Sequence, residues 1–316
     1  MRMAMKKKMT FFLKCGILLL LLFGFCFFVV MPQYEGNYQA ATQDKVRLLK
    51  QTKGPKIVLI GNSNLAFGID SAQIEQAFGM PVVNMGVHGG VGNAFNEQAA
   101  LLNVDEGDLY IVCHTNYDDA DVIKNQKLAW ITIENHPELY AFIRPKDWPE
   151  MIKAYPTYLR DCLKMWRTGT GNQETNDAYR RSAFNAYGDN YYPRPQPGED
   201  VDFSPVVINH INDESAARLN VLYGKLKAQG ADMVVASYPI AAYEKAPSAE
   251  EYYEMGLEMS RALDCAVISD FRDYMFDTSY FYDSHSHLTD AGVQIRTKQL
   301  IADIRRYFDG ESVYPK

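Results

Sequence analysis

Ser63 is the residue whose neighbours best suit it to act as a nucleophile. It lies in Gly61-Asn62-Ser63-Asn64, directly after the apolar run Ile57-Val58-Leu59-Ile60. Four apolar, mostly β-branched residues in a row read as a buried parallel strand. Gly61 offers a tight turn at the strand's end, free of a Cβ and able to take a positive φ. Ser63 would then stand at the carboxyl edge of a sheet, where open α/β folds keep their ligands. Near the other end, Tyr282-Asp283-Ser284-His285-Ser286-His287-Leu288-Thr289 offers imidazoles beside a carboxylate. A serine hydroxyl is a poor nucleophile until an imidazole removes its proton. A carboxylate on the other ring nitrogen fixes the tautomer and stabilises the imidazolium that forms. If the two stretches meet in space, the chemistry is acyl transfer through serine, ending in ester hydrolysis or O-acylation.

The elements that must bring them together alternate. Lys56–Gly61, Pro81–Gly86, Asp108–His114, Asp232–Ser237 and Cys265–Ser269 read as strands. Helices are expected from Ser71, over Asn93–Asn103, over Asn212–Gln229 closed by Gly230, and over Ser248–Leu263. Thr289 is positioned to cap a last amphipathic helix with Ile295, Leu300, Ile304 and Phe308 on one side. Strands alternating with helices imply an α/β fold with a doubly wound, mainly parallel sheet. An insertion over 118–205 interrupts it after the third strand. It holds Trp130, Trp148 and Trp166 and reads as helical until about Trp166; Pro193, Pro195 and Pro197 then break any helix. Its aromatics could roof the site, though packing the insertion's own core accounts for most of them.

The pattern resembles the SGNH (GDSL-like) hydrolase superfamily. Gly61-Asn62-Ser63-Asn64 follows the first strand, and Asp283 and His287 precede the last helix. The resemblance covers about residues 56–118 and 206–308 and implies a flavodoxin-like sheet. It makes Ser63 the nucleophile, His287 the base and Asp283 its orienting partner. The oxyanion donors it implies are the Ser63 and Gly86 backbone N–H groups and the Asn116 side-chain amide. Asn62 stands where the family usually has Asp, and His114-Thr115-Asn116-Tyr117 replaces its Gly-x-Asn-Asp block. The usual Asp-x-x-His spacing is stretched by one residue to His287 and shortened by one to His285, which stays as the alternative base. Leu288, Thr289 and Gly292 follow His287 just as the helix begins, which favours His287. Physically, a glycine lets backbone approach a ligand closely, and an amide donates without a charge to desolvate. Each donor aimed at a developing oxyanion is worth ~3 kcal/mol. His114 is a further candidate to line the site, whereas His88, His136 and His210 read as ordinary surface or core histidines.

The amino terminus has its own logic. Cys15 to Met31 carries no charge, and Met9 to Met31 is nearly as apolar if Lys14 snorkels. That length reaches across a hydrocarbon core. Arg2, Lys6, Lys7 and Lys8 precede it and no basic cluster follows, so the expected topology is a single-pass signal anchor with the amino terminus in the cytoplasm. The expected division is 1–32 for the tip and anchor, 33–55 for a juxtamembrane linker with a short helix near Gln43–Gln51, 56–308 for the α/β domain, and 309–316 for a tail.

The chain's net charge of −7 becomes −12 once the five basic residues of 1–31 are set aside. So acidic a body makes nucleic acid an unsuitable partner. The five cysteines read as free thiols and no metal-ligand spacing occurs, so neither metal nor cofactor is expected.

Other readings stay open at this stage. A glycine-serine turn could hold a phosphate at a helix start, and Thr289 or Asp290 could serve only as a cap. An α/β-hydrolase elbow is disfavoured, because Leu65 stands where that motif needs its second glycine. The expectation is therefore a membrane-anchored, extracytoplasmic serine esterase or O-acyltransferase acting on acyl esters of a cell-envelope glycan or lipid. Single-pass SGNH proteins of this shape resemble the partners of membrane-bound O-acyltransferases. The alternative is a non-catalytic binding or scaffolding module on the same fold.

Overall fold

The computed structural model describes residues 2–117, 122–134, 136–172, 174, 176–199, 201–203 and 206–315. Asp118 and Pro205, the expected bounds of the insertion, fall outside them. The chain starts with α1 (Arg2–Phe25), which runs on through a π-helical stretch at Cys26–Val30. Met5–Val30 is one helix long and apolar enough to cross a membrane. After α2 (Ala41–Gln51), strand β1 (Ile57–Gly61) leads to α3 (Ser63–Ala66) and α4 (Ser71–Phe78). Strand β2 (Val82–Asn84), α5 (Asn93–Ala100) and β3 (Leu109–Cys113) complete the first half. The insertion supplies α6 (Gln126–Ile133), α7 (Pro137–Tyr140) and α8 (Trp148–Thr168). Then follow α9 (Asp213–Lys227), β4 (Asp232–Val235), β5 (Ile240–Ala242) and α10 (Ala249–Ala262). Strands β6 (Ala266–Val267) and β7 (Met275–Asp277) precede α11 (Asp290–Phe308).

Five strands form one parallel sheet in the order β2-β1-β3-β4-β6. Within that sheet this is the 2-1-3-4-5 order of doubly wound, flavodoxin-like domains. Alternate residues of β1 serve opposite faces. Val58 and Ile60 pack with α2, α5, α9 and α10, while Ile57 and Leu59 pack with α4 and α11. Strands β5 and β7 pair separately, and neither was expected from the sequence. They are three residues each, too short to carry a period.

Two expectations need correction. Residues 33–55 do not form a linker: Tyr34, Tyr38, Gln39, Thr42, Lys45 and Leu49 are buried. The polar ones among them are satisfied inside the fold. Gln39 Nε2 donates to Thr132 Oγ1 at 2.6 Å, and Lys45 Nζ donates to the carbonyls of Asn84, Gly86 and Gly188. Burial pushes the Lys45 ammonium below its ordinary pKa. Secondly, α11 buries Val293, Arg296, Leu300 and Ile304, while Ile295 and Phe308 stand exposed. Trp130, Trp148, Tyr155 and Tyr158 pack in the insertion's own core, the reading favoured for most of its aromatics, with Trp130–Tyr155 at 4.9 Å and Trp130–Trp148 at 6.3 Å between ring centroids. Tyr179 of the insertion differs, packing on Phe67 and reaching Asp283. Cys113 and Cys162 are buried free thiols, and Cys265 is buried as well.

Candidate active site

Ser63 opens a single helical turn because Asn62 caps it: Asn62 Oδ1 accepts from the Asn64 N–H at 3.2 Å. Gly61 does not take a positive φ. A Cβ there would come within 2.6 Å of the Cys113 carbonyl on β3, so the glycine is a steric requirement. Behind the turn, fully buried Arg296 of α11 donates to Asn64 O at 2.5 Å and to Asn64 Oδ1 at 2.7 Å. Asn64 Nδ2 passes the chain of bonds to Asn62 Oδ1 (2.5 Å) and Cys113 O (2.9 Å), and Asn62 Nδ2 donates to Thr115 Oγ1 at 2.6 Å. One guanidinium thus ties the last helix to the turn that carries Ser63. Arg296→Met leaves two buried oxygens unpaired and is expected to destabilise the fold by ~2–4 kcal/mol, read from urea unfolding in detergent. Arg296→Lys should recover part of that loss.

The second half of the site is a hydrogen-bonded pair. His287 Nδ1 lies 2.7 Å from Asp283 Oδ1, and the Tyr179 hydroxyl donates to Asp283 Oδ2 at 2.7 Å. The hydrogen bonds of the ring, to Asp283 and Tyr179 (3.2 Å), both run through Nδ1, which leaves Nε2 for other work. The imidazole is stacked on Phe67, with centroids 4.2 Å apart and planes 12° from parallel. Phe67 closes the helical turn that Ser63 opens, its N–H donating to Ser63 O at 2.9 Å. Phe67 is therefore the physical link between two stretches over two hundred positions apart. Ser63 Oγ carries no hydrogen bond among the described residues. Serine–base contacts often tighten only around substrate.

Burial pushes the Asp283 carboxyl up, but hydrogen bonds from His287 and Tyr179 outweigh it and hold it below the ordinary carboxylate range. A depressed carboxylate contributes fully above its ordinary pKa and loses its contribution as pH falls through the lowered value. Tyr179→Phe removes one charge-assisted bond and should raise the Asp283 pKa. The expected result is a roughly tenfold drop in kcat/KM and an acid loss of function that begins at higher pH. A pH–rate profile from 3 to 8 checks both.

His285 is placed differently. It lines a separate small cavity with Tyr238 and Asn209, and burial pushes its pKa down. Asp283 is bonded to His287.

Ser63 borders an open cavity of about 450 Å³, shared with His88, Gly89, Asn93, Asn116 and Asn125. Asn116 is thus beside Ser63, its backbone carbonyl accepting from Asn93 Nδ2 at 2.8 Å. Gly86 is not available as an oxyanion donor, since its N–H donates to Asn84 Oδ1 at 2.9 Å. It is a glycine for packing: a Cβ would come within 2.6 Å of Leu65 Cβ and 2.8 Å of the Asn62 carbonyl. Gly89 replaces it. That residue lines the cavity, and its N–H has no partner among the described residues. Strand β2 ends at Asn84, two residues earlier than the sequence suggests, which moves the useful position along the loop.

His114 does not line the cavity. It is buried, with Nε2 3.0 Å from Glu97 Oε1, and Arg218 holds the other Glu97 oxygen at 2.8 Å. His88, read as ordinary from the sequence, sits on the cavity wall with Nδ1 accepting from the Gly90 N–H at 2.9 Å. Tyr179 and Arg296 were not singled out from the sequence: one lies in a loop without periodicity, the other is a charged residue at a buried helix position. No protein-family model matches the chain, and no curated protein matches it either.

Proposed function

We propose that this protein is a membrane-anchored serine esterase or O-acyltransferase of the SGNH type, with its α/β body outside the cytoplasm. The observation that carries the reading is the Asp283–His287 pair stacked, through Phe67, on the turn that begins at Ser63. In the proposed reaction Ser63 Oγ attacks the acyl carbonyl as His287 Nε2 takes its proton. The negative oxygen is met by the Ser63 and Gly89 N–H groups and the Asn116 amide. Collapse of the intermediate expels the alcohol, which leaves with the proton from His287. Water, or a sugar hydroxyl, then attacks the acyl-serine and gives its proton to His287, which passes it to Ser63 Oγ as the Ser63–acyl bond breaks. Water completes hydrolysis; the sugar completes transfer.

An open cavity walled by Asn93, Asn116, Asn125 and His88 suits a hydroxyl-rich ligand more than a long acyl chain, which favours a short acyl ester on an envelope glycan. The test is covalent: a fluorophosphonate should add its mass to the peptide containing Ser63. Labelling at another residue, or none between pH 6 and 9, overturns the proposal. The free Ser63 hydroxyl supports one other reading, a glycan-binding module that partners a membrane-bound O-acyltransferase without chemistry of its own. Glycan binding without labelling is its signature.

A further inference from the structure

We infer that α8 is a second membrane contact, an amphipathic helix seated on the same bilayer face from which α1 emerges, with its basic edge on anionic lipid headgroups. The inference rests on the reading of Met5–Val30 as a membrane anchor.

The pattern on α8 carries it. Met151, Tyr155, Tyr158, Cys162 and Met165 recur at helical spacing and face the body, fully or partly buried. One residue on, Ile152, Pro156, Leu159, Leu163 and Trp166 form a second apolar row. Ile152 is 63% exposed, Leu163 40% and Trp166 41%. One residue further, Lys153, Arg160, Lys164 and Arg167 form a basic row. A soluble helix needs only the first row. An apolar row beside a basic one is the pattern of a helix lying in a membrane interface. Beyond Val29, eight large apolar side chains stand exposed among the described residues, and three belong to this row.

Continuity with the anchor names the occupant. Trp166 meets Phe25 edge to face at 5.5 Å, and Tyr155 OH reaches Met31 Sδ at 3.4 Å. The 26 residues of Met5–Val30 rise about 39 Å as a helix, against a hydrocarbon core of about 30 Å. Phe25, five residues from the outer end, falls near the hydrocarbon boundary, and Trp166 touches it. Tryptophan is the side chain most at home at that depth. On a body with a net charge of −12 the basic row is an exception, and each lysine or arginine near an anionic surface adds attraction.

The test uses the full chain in vesicles of phosphatidylcholine with phosphatidylglycerol, the lipids brominated high in the acyl chain to quench tryptophan. Trp130 is buried and Trp148 is partly covered in the insertion core, so quenching should come mainly from Trp166. Trp166→Phe is expected to remove most of it. Lys164→Glu with Arg167→Glu should lower it roughly twofold in anionic vesicles and little in neutral ones. Equal quenching in wild type and Trp166→Phe overturns the inference. A photo-crosslinker at Leu163 should capture lipid; capture of a second copy instead assigns the row to self-association and also overturns it. Alkaline carbonate separates the two readings. A chain that washes off the vesicles defeats the anchor and the inference together, whereas a chain that stays without lipid-dependent quenching defeats only the inference.

Discussion

Ser63→Ala is expected to lower kcat/KM for a small aryl acetate by at least ~10³-fold and to abolish fluorophosphonate labelling. Ser63 stands at the head of α3, beside the cavity and one helical turn from Phe67, the ring on which His287 stacks. Its hydroxyl bonds to nothing in the described fold, so the substitution breaks no structural contact. The melting temperature should therefore stay within about 2 °C of wild type. Loss of rate with unchanged stability separates chemistry from folding. A variant that retains activity within tenfold would remove Ser63 from the mechanism.

The second large effect concerns the base. His287→Ala should cost about 10³-fold in kcat/KM, because the serine loses the group that takes its proton in acylation and returns it to the leaving alcohol. His285→Ala should stay within about fivefold, since that ring faces another cavity and Asp283 is bonded to His287. The pair of variants decides more than either alone. If His285→Ala is the silent enzyme and His287→Ala the active one, the Asp283–His287–Phe67 arrangement is structural and the site must be rebuilt around the other ring.

Much of this architecture could be read from the chain, because the strands that matter are unbroken apolar runs ended by turn residues. Ile57–Ile60 and Leu109–Cys113 are of that kind, and both lie in the middle of the sheet. The helix caps Asn212, Ser248 and Thr289 were equally legible, since short polar side chains before a helical period have a local cause. What the sequence hid is polar groups that are buried and paired over long distances. Arg296 takes a core position one and two turns before Leu300 and Ile304, where a charged side chain is rarely found, and the apolar side was drawn through Ile295 instead. Lys45 and Gln39 made residues 33–55 look like a solvated linker, although their partners lie at Asn84, Gly188 and Thr132. Of the candidate site, Ser63, Asp283 and His287 were nominated by residue type, by their places after the first strand and before the last helix, and by the resemblance those places carry. Tyr179 was not, because its role depends on how a loop without periodicity is folded back over Asp283.

The packed segment after α1 limits reach. Tyr38 lies against both Phe67 and Tyr179, and only seven residues separate it from Met31. Seven residues span at most ~25 Å even when fully stretched. With the chain tethered as proposed, the nucleophile works on a short leash, a few nanometres above the bilayer. On that reading it sweeps little volume, and a substrate has to be presented close to the lipid surface.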